Sequence, residues 1–368
     1  MGGIFSSMKD KDENEKIPQN NNNTNGNNTS VGQQNGTSNN NNNNNTTNAE
    51  KKSSVSVLLL GTGETGKSTL FKQIELINGV GIIKDHERSM WASLIHGNLI
   101  SDMKTLINIV EELNTEIDDE TNDILQEILE LPDQNVTITD ELREKLKKLW
   151  GCDAIKHAYD NRDQALDSAE YLYSHIDRIA KPDYSPTVDD VLHCRVKTLG
   201  VHQVEIVMEG GIKFRLVDVG GQRAERRKWL ELMSEVDAVI FMTSLAEYDQ
   251  DCYEEKGCWR VKESLDTFEK VVNNKLFQSV PFILMLNKSD LFEKKLDKKS
   301  FKKYFPEFSG NEKDVKECTD YLAKLFLTKC KERSSSSVLV QPHCAIDKNA
   351  TDKMLQQVKN FVLDSKKN

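Results

Sequence analysis

Residues 55–77 read VSVLLL, then GTGETGKST, then LFKQIELI. An apolar run of strand length runs into a glycine-rich turn, and a helical segment follows. The turn fits G-x-x-x-x-G-K-[ST], with Gly61, Gly66, Lys67 and Ser68 at the fixed positions. Its chemistry follows from its residue types. Glycines let backbone N–H groups turn inward around phosphate oxygens, and the next helix adds the positive end of its dipole. Lys67 reaches the outer phosphates, and the Ser68 hydroxyl is placed for Mg²⁺. The stretch predicts an α/β fold that binds a nucleoside triphosphate. Alone it does not say which one.

Distant stretches narrow the choice. NKSD at 287–290 follows the strand-like PFILML. Asp290 can accept hydrogen bonds from the N1–H and exocyclic amine of guanine, and adenine offers neither. A site built around such donors rejects an analogue lacking them by roughly 10⁴-fold, because the carboxylate is left unpaired. Asn287 is expected to hold the loop and the base edge, with the Lys288 stem on the ring face. HCAID at 343–347 is expected to close over the base, with the Ala345 amide on its carbonyl oxygen.

DVGGQRAERRKW at 218–229 follows the strand IKFRLV. Asp218 can hold Mg²⁺ through water, and Gly221 can bring its N–H against a terminal phosphate that a side chain would obstruct. Gln222 then lies where it can orient an attacking water. These assignments give meaning to LHCRVKTLGVH at 192–202, which has no helical or strand periodicity. Thr198 completes a Mg²⁺ shell with Ser68. Arg195 faces the phosphoryl group, where an arginine supplied in cis is known to be worth roughly 10³–10⁵ in rate. Cys194 and Cys344, beside these loops, read as packing residues.

Strand patterns at QVEIVME, IKFRLVDV, AVIFMTSL and PFILML alternate with helical stretches, which predicts a mostly parallel sheet covered on both faces. Between about Asp85 and Pro186 the pattern is helical instead. Trp91, Leu94, Ile95, Leu99, Met103, Leu106, Ile107, Val110 and Leu113 mark one long amphipathic helix, and further helices are expected near 120–131, 139–150, 153–160 and 163–179. The expected organisation is a GTPase domain over 53–80 and 190–368, interrupted by an all-helical insertion over 81–189. Residues 20–45 contain 15 Asn, so 1–52 reads as a disordered arm with nothing to bury.

Composition excludes several classes. The net charge of −10, without a basic stripe, argues against nucleic acid as a partner. Seven cysteines without a C-x-x-C pair indicate neither a disulfide framework nor a zinc site. No apolar run approaches the roughly 20 residues that span a bilayer, and no secretory leader is evident, so an intracellular, non-spanning protein is expected.

Taken together, these motifs resemble the α subunit of a heterotrimeric G protein, over about residues 53–363. DVGGQRAERRKW carries the likeness most specifically, with RVKT, whose Thr198 lies 130 positions beyond Ser68, DRIAKPDYSPTVDDVL and LNKSDLFEKKL. The resemblance implies a P-loop, Ras-like GTPase fold with a helical insertion. It implies GDP at rest, GTP loaded through a receptor, Mg²⁺, release of a βγ dimer to free an effector-binding state, and slow hydrolysis. It implies Arg195 and Gln222 as catalytic residues, and Mg²⁺ at Ser68, Thr198 and, through water, Asp218. Guanine nucleotide contacts would come from Gly61, Thr62, Gly63, Glu64, Thr65, Gly66, Lys67, Ser68 and Thr69 in the first loop. Leu192, His193, Cys194, Arg195, Val196, Lys197 and Thr198 would add a second segment, and Asp218, Val219, Gly220, Gly221 and Gln222 a third. Asn287, Lys288, Asp290 and Ala345 would read the base. Glu64 would pair with a switch arginine and hold the nucleotide in.

MGGIFS fits M-G-x-x-x-[ST], so Gly2 is a candidate for myristoylation and for peripheral attachment to the cytoplasmic face of the plasma membrane, with part of the protein cytosolic. One such chain gives marginal residence, and residues 1–52 carry no net charge to help. Three departures from the family stand out. An Asn-rich arm replaces the N-terminal helix that meets β, which is expected to weaken βγ binding. The last helix stops at DSKKN, which leaves receptor coupling open. His175, His193 and His343 are expected beside the nucleotide where the family has other polar residues, and Leu199 replaces a polar neighbour of Thr198. A guanine-nucleotide-bound scaffold with weak receptor and βγ coupling is therefore an alternative; a P-loop ATPase or nucleotide kinase is a third, disfavoured by NKSD.

Overall fold

The computed structural model describes residues 54–365 apart from 80, 163–165, 234–235 and 253–254. The Asn-rich arm and the Gly2 acceptor lie outside the described residues. The strands are β1 (Ser54–Leu60), β2 (Val201–Met208), β3 (Ile212–Val219), β4 (Ala238–Ser244), β5 (Asp251–Cys252), β6 (Glu255–Trp259), β7 (Phe282–Asn287) and β8 (Val338–Pro342). Among the described residues, six of them form one sheet in the order β2-β3-β1-β4-β7-β8, parallel except for β2, while β5 and β6 pair as a separate hairpin.

The burial of each strand matches its place. β1, β4 and β7 lie inside the sheet and are apolar and buried almost throughout, as strands covered on both faces must be. β2 is the antiparallel edge, and its last residues alternate between buried and exposed. Helix α1 (Lys67–Ile77) leaves β1 through the glycine-rich turn. Val55, Val57 and Leu59 of β1 face Leu70 and Ile74 of α1, together with Met354, Leu355 and Val358 from the C-terminal helix. Leu58 and Leu60 point the other way, into a core that includes Phe241, Phe268, Phe282 and Phe326. Burial of each such side chain contributes roughly 1.5–3 kcal/mol, and Phe268 meets Phe241 and Phe282 edge-on at 5.2 and 5.7 Å.

Between α1 and β2 the chain is helical: α2 (Arg88–Glu112), α3 (Asp119–Glu130), α4 (Asp140–Gly151), α5 (Asp153–Asn161), α6 (Ala169–Ser174), α7 (Ile176–Ile179) and α8 (Val188–His193). They bury a core of their own along the α2 stripe, with Ile95, Leu99, Met103, Leu106 and Val110 packed among Ile128, Leu146, Leu149 and Leu172. The helix expected over 163–179 is shorter and divided at His175, where the backbone leaves helical geometry. Leu113, expected in the apolar stripe, caps α2 and is exposed.

The remaining helices are α9 (Trp229–Leu232), α10 (Arg260–Val272), α11 (Ser289–Lys298), α12 (Val315–Leu327) and α13 (Lys348–Ser365). No helix of the described residues is long and apolar enough to cross a membrane. The seven cysteines are free thiols.

Candidate nucleotide site

The turn after β1 is held in a shape that glycine permits. Gly66 has φ 95°, in the left-handed region, and a β-carbon there would collide with the Asn287 amide. Lys67 is buried, and its ammonium donates to the carbonyls of Gly61 (3.0 Å) and Thr62 (2.7 Å). Burial pushes it down to about 8, against the pull of Asp218. A cation so poorly compensated favours an arriving anion. Glu64 is held at φ 62°. Its closer partner is Arg260 at the start of α10, which also donates to Gly63 O at 3.0 Å and to Glu247 at 2.6 Å.

Ser68 opens α1 and Thr198 lies before β2, yet their hydroxyls are in direct contact. Ser68 Oγ also donates to Asp218 Oδ2 at 2.9 Å, while the other Asp218 oxygen is buried without a hydrogen-bond partner. Burial raises the Asp218 pKa, since the anion lacks full compensation. Two hydroxyls and an orphaned carboxylate oxygen are hard donors suited to Mg²⁺, and a cation would relieve the unpaired charge. The residues present fit the ion.

At the far end of β7, Asn287 is buried and ties two loops together. Its Nδ2 donates to Thr65 O at 2.8 Å, and its Oδ1 accepts from the Ala345 N–H at 3.0 Å. Lys288, in the left-handed region, donates to Glu64 O at 2.6 Å and pairs with Asp167, which comes from the helical segment. Asp290 stands beside Cys344, whose thiol is pushed up to about 12 by burial and by that carboxylate. Burial likewise pushes the Cys194 thiol up to about 11, so neither cysteine is an activated nucleophile.

Arg195 presents its guanidinium to Asp102 of α2 at 3.3 Å and to Glu64 at 3.6 Å. Gly221 sits where a β-carbon would strike Lys67 Nζ. Gln222 follows, close above Gly63. The segment is braced from behind: Arg226 donates to Gly221 O at 2.9 Å and pairs with Glu263 of α10 at 2.8 Å, and the Trp229 indole donates to Gly220 O at 3.1 Å.

These groups line a single cleft of about 1850 Å³, with Arg195, Ser68 and Asp290 on its walls together with Gly63, Glu64, Gly66, Lys67, Thr69, Leu192, His193, Cys194, Val196, Lys197, Thr198, Asp218, Gly221, Gln222, Asn287, Lys288 and Ala345. Gly61, Thr62, Thr65, Val219 and Gly220 are buried behind that lining. Two of the three histidines, His175 and His343, differ from expectation. His193 lines the cleft, stacked on Tyr171 with ring centroids 3.8 Å apart. His175 is exposed and off the cleft lining, with its ring centroid 4.4 Å from that of Tyr171. His343 is buried behind the base loop, and burial pushes its imidazole down to about 4.

Sequence reasoning missed Arg260, Asp167, Asn98 and Asp102. One signal was available for Arg260. It falls on the buried face of α10 with Ser264, Thr267, Phe268 and Val271, and a buried guanidinium calls for carboxylates.

Residues 33–362 match the family model described as G-protein alpha subunit. The chain is 38% identical over 323 residues to the guanine nucleotide-binding protein alpha-2 subunit of Dictyostelium discoideum, covering 84% of this chain and 88% of that protein. It is 35% identical over 291 residues to guanine nucleotide-binding protein subunit alpha-1 of Trichomonas vaginalis, covering 77% and 71%. It is 35% identical over 316 residues to the alpha-16 subunit of Caenorhabditis briggsae, covering 84% and 88%.

Proposed function

We propose that this chain, which belongs to the G-protein alpha subunit family, is switched by GTP through the residues of this cleft. The protein is a guanine nucleotide-binding signal transducer and a GTPase, and it binds GDP and GTP. Its fold is the Ras-like GTPase fold with a helical domain, which we assign to 53–80 with 190–368 and to 81–189 respectively.

Backbone N–H groups of residues 61–69 cradle the phosphates, and Lys67 regains a full counter-charge when they arrive. Ser68, Thr198 and, through water, Asp218 would hold Mg²⁺. The ion, when bound, neutralises charge on the phosphate oxygens. Gln222 orients the attacking water, and Arg195 offsets the charge spread over the transferring phosphoryl group. Asp290 reads guanine while Asn287 and Lys288 fix the base loop against the phosphate loop. The Arg226–Glu263 pair ties the segment that senses the terminal phosphate to α10. One observation carries this reading: the cleft brings the phosphate loop, Arg195, Gln222 and Asp290 together, although they span more than half the sequence.

The family works with a βγ dimer, a receptor and an effector, and we assign those partner classes to this protein. We also assign N-myristoylation at Gly2 and peripheral attachment to the cytoplasmic face of the plasma membrane, with a lipidated partner supplying the second anchor that one acyl chain requires. Capture on immobilised βγ tests the switch. GDP-loaded protein should be retained, and GTP with Mg²⁺ should release it. Failure of both nucleotide forms to bind, or equal retention of both, would favour the scaffold instead.

A further inference from the structure

The helical segment holds Arg195 at both its backbone and its guanidinium. Asn98 and Asp102 lie one turn apart on α2, on the same face. Asn98 grips the backbone of Arg195 from both sides: its Oδ1 accepts from Arg195 N at 2.6 Å, and its Nδ2 donates to Arg195 O at 3.1 Å. Asp102 takes the other end, accepting from Nη2 at 3.3 Å, and is itself 3% exposed. Glu64 stands on the Nη1 side at 3.6 Å. One guanidinium therefore faces two carboxylates, and one of them is buried.

We propose that Asp102 is a positioning residue that restrains Arg195: while ionised it holds the guanidinium and cancels its charge, and it thereby slows GTP hydrolysis. The proposal rests on the assignment of Arg195 to the phosphoryl group made above. To serve a phosphoryl group the guanidinium must leave Asp102 or share its charge with it. An ionised buried carboxylate abandoned by its partner is costly, whereas a protonated one is not.

The surroundings make the two states accessible near neutrality. Burial pushes the Asp102 carboxyl up to about 7, opposed by the charge of Arg195, and Asp167 and Glu64 push it up further while Arg162 opposes. Tyr159, Tyr173 and Cys194 also lie within electrostatic reach, and burial raises all three further above neutrality, so they remain uncharged there. Asp102 is neutral below about pH 7 and the restraint is off; above it the restraint is on.

Single-turnover hydrolysis of preloaded GTP, started with Mg²⁺ between about pH 6 and pH 8, tests this. Asp102→Asn keeps the shape and removes the charge. It should hydrolyse about tenfold faster than the parent near pH 8, with the ratio falling toward one near pH 6. The gain should vanish when Arg195→Cys is added. A ratio of one or below near pH 8, or a ratio independent of pH, overturns the proposal, since a packing role alone would not move the pH profile. Asp102→Ser carries the same expectation should the amide variant fail to fold. Arg195→Cys alone separates the two claims: parent-like turnover in that variant defeats the assignment of Arg195, whereas slow turnover with an inert Asp102→Asn defeats the restraint alone.

Discussion

Replacing Arg195 by cysteine should slow single-turnover GTP hydrolysis by roughly 10³–10⁵-fold, the range known for arginines in GTPases of this family, while GTP binding changes little. The separation follows from where the residue makes its contacts. In the absence of a transition state its guanidinium is engaged by Asp102 and Glu64, so the bound ground state has little to lose. An interaction made in the transition state alone lowers the rate without weakening substrate binding. Gln222→Leu should act similarly, because Gln222 lines the same wall beside Gly63 and a leucine there cannot orient water. Quench-flow or phosphate-release measurements on preloaded protein read both variants. Unchanged single-turnover rates in the pair would remove these residues from the chemistry.

Asp290→Ala should weaken GTP by roughly 10³-fold or more and erase discrimination against ATP. The carboxylate sits at the first turn of α11, in a loop fixed by Asn287 to Thr65 and Ala345 and by Lys288 to Glu64. Because those braces do not involve Asp290, the alanine variant keeps the loop and loses the acceptor. Displacement of a fluorescent guanine nucleotide by GTP and by ATP measures both effects. Retained preference for GTP would place base recognition elsewhere.

The parts of the fold that the sequence made legible are those in which a local pattern coincides with a buried surface. β1, β4 and β7 are continuous apolar runs because the sheet covers both their faces, and α2 shows its stripe because one side packs on the helical core. β8 escaped notice because it is an edge strand of five residues, mostly half-buried, and its pairing with β7 bridges some fifty residues of chain. The hairpin of β5 and β6 is too short to show a period.

The cleft was legible at its motifs and not at its braces. Gly66, Lys67, Ser68 and Asp290 belong to compact patterns whose spacing carries the chemistry. Arg260, Asp167 and Asp102 act through partners roughly 90–200 positions away, so proximity is created by folding alone. Asp102 did leave a trace, because it occupies the buried face of α2 three residues beyond Leu99, where a carboxylate needs a partner. Glu64 shows the same limit from the other side: pairing with a switch arginine is what the resemblance implies, yet its tighter pair is with Arg260.

A crystal structure of the protein with Mg²⁺ and a non-hydrolysable GTP analogue would show whether these scattered loops form one nucleotide site. The metal should lie at Ser68 and Thr198, the base against Asp290, and the terminal phosphate between Lys67, Gly221 and Arg195. A nucleotide seated outside the cleft, or a base with no contact to Asp290, would contradict it.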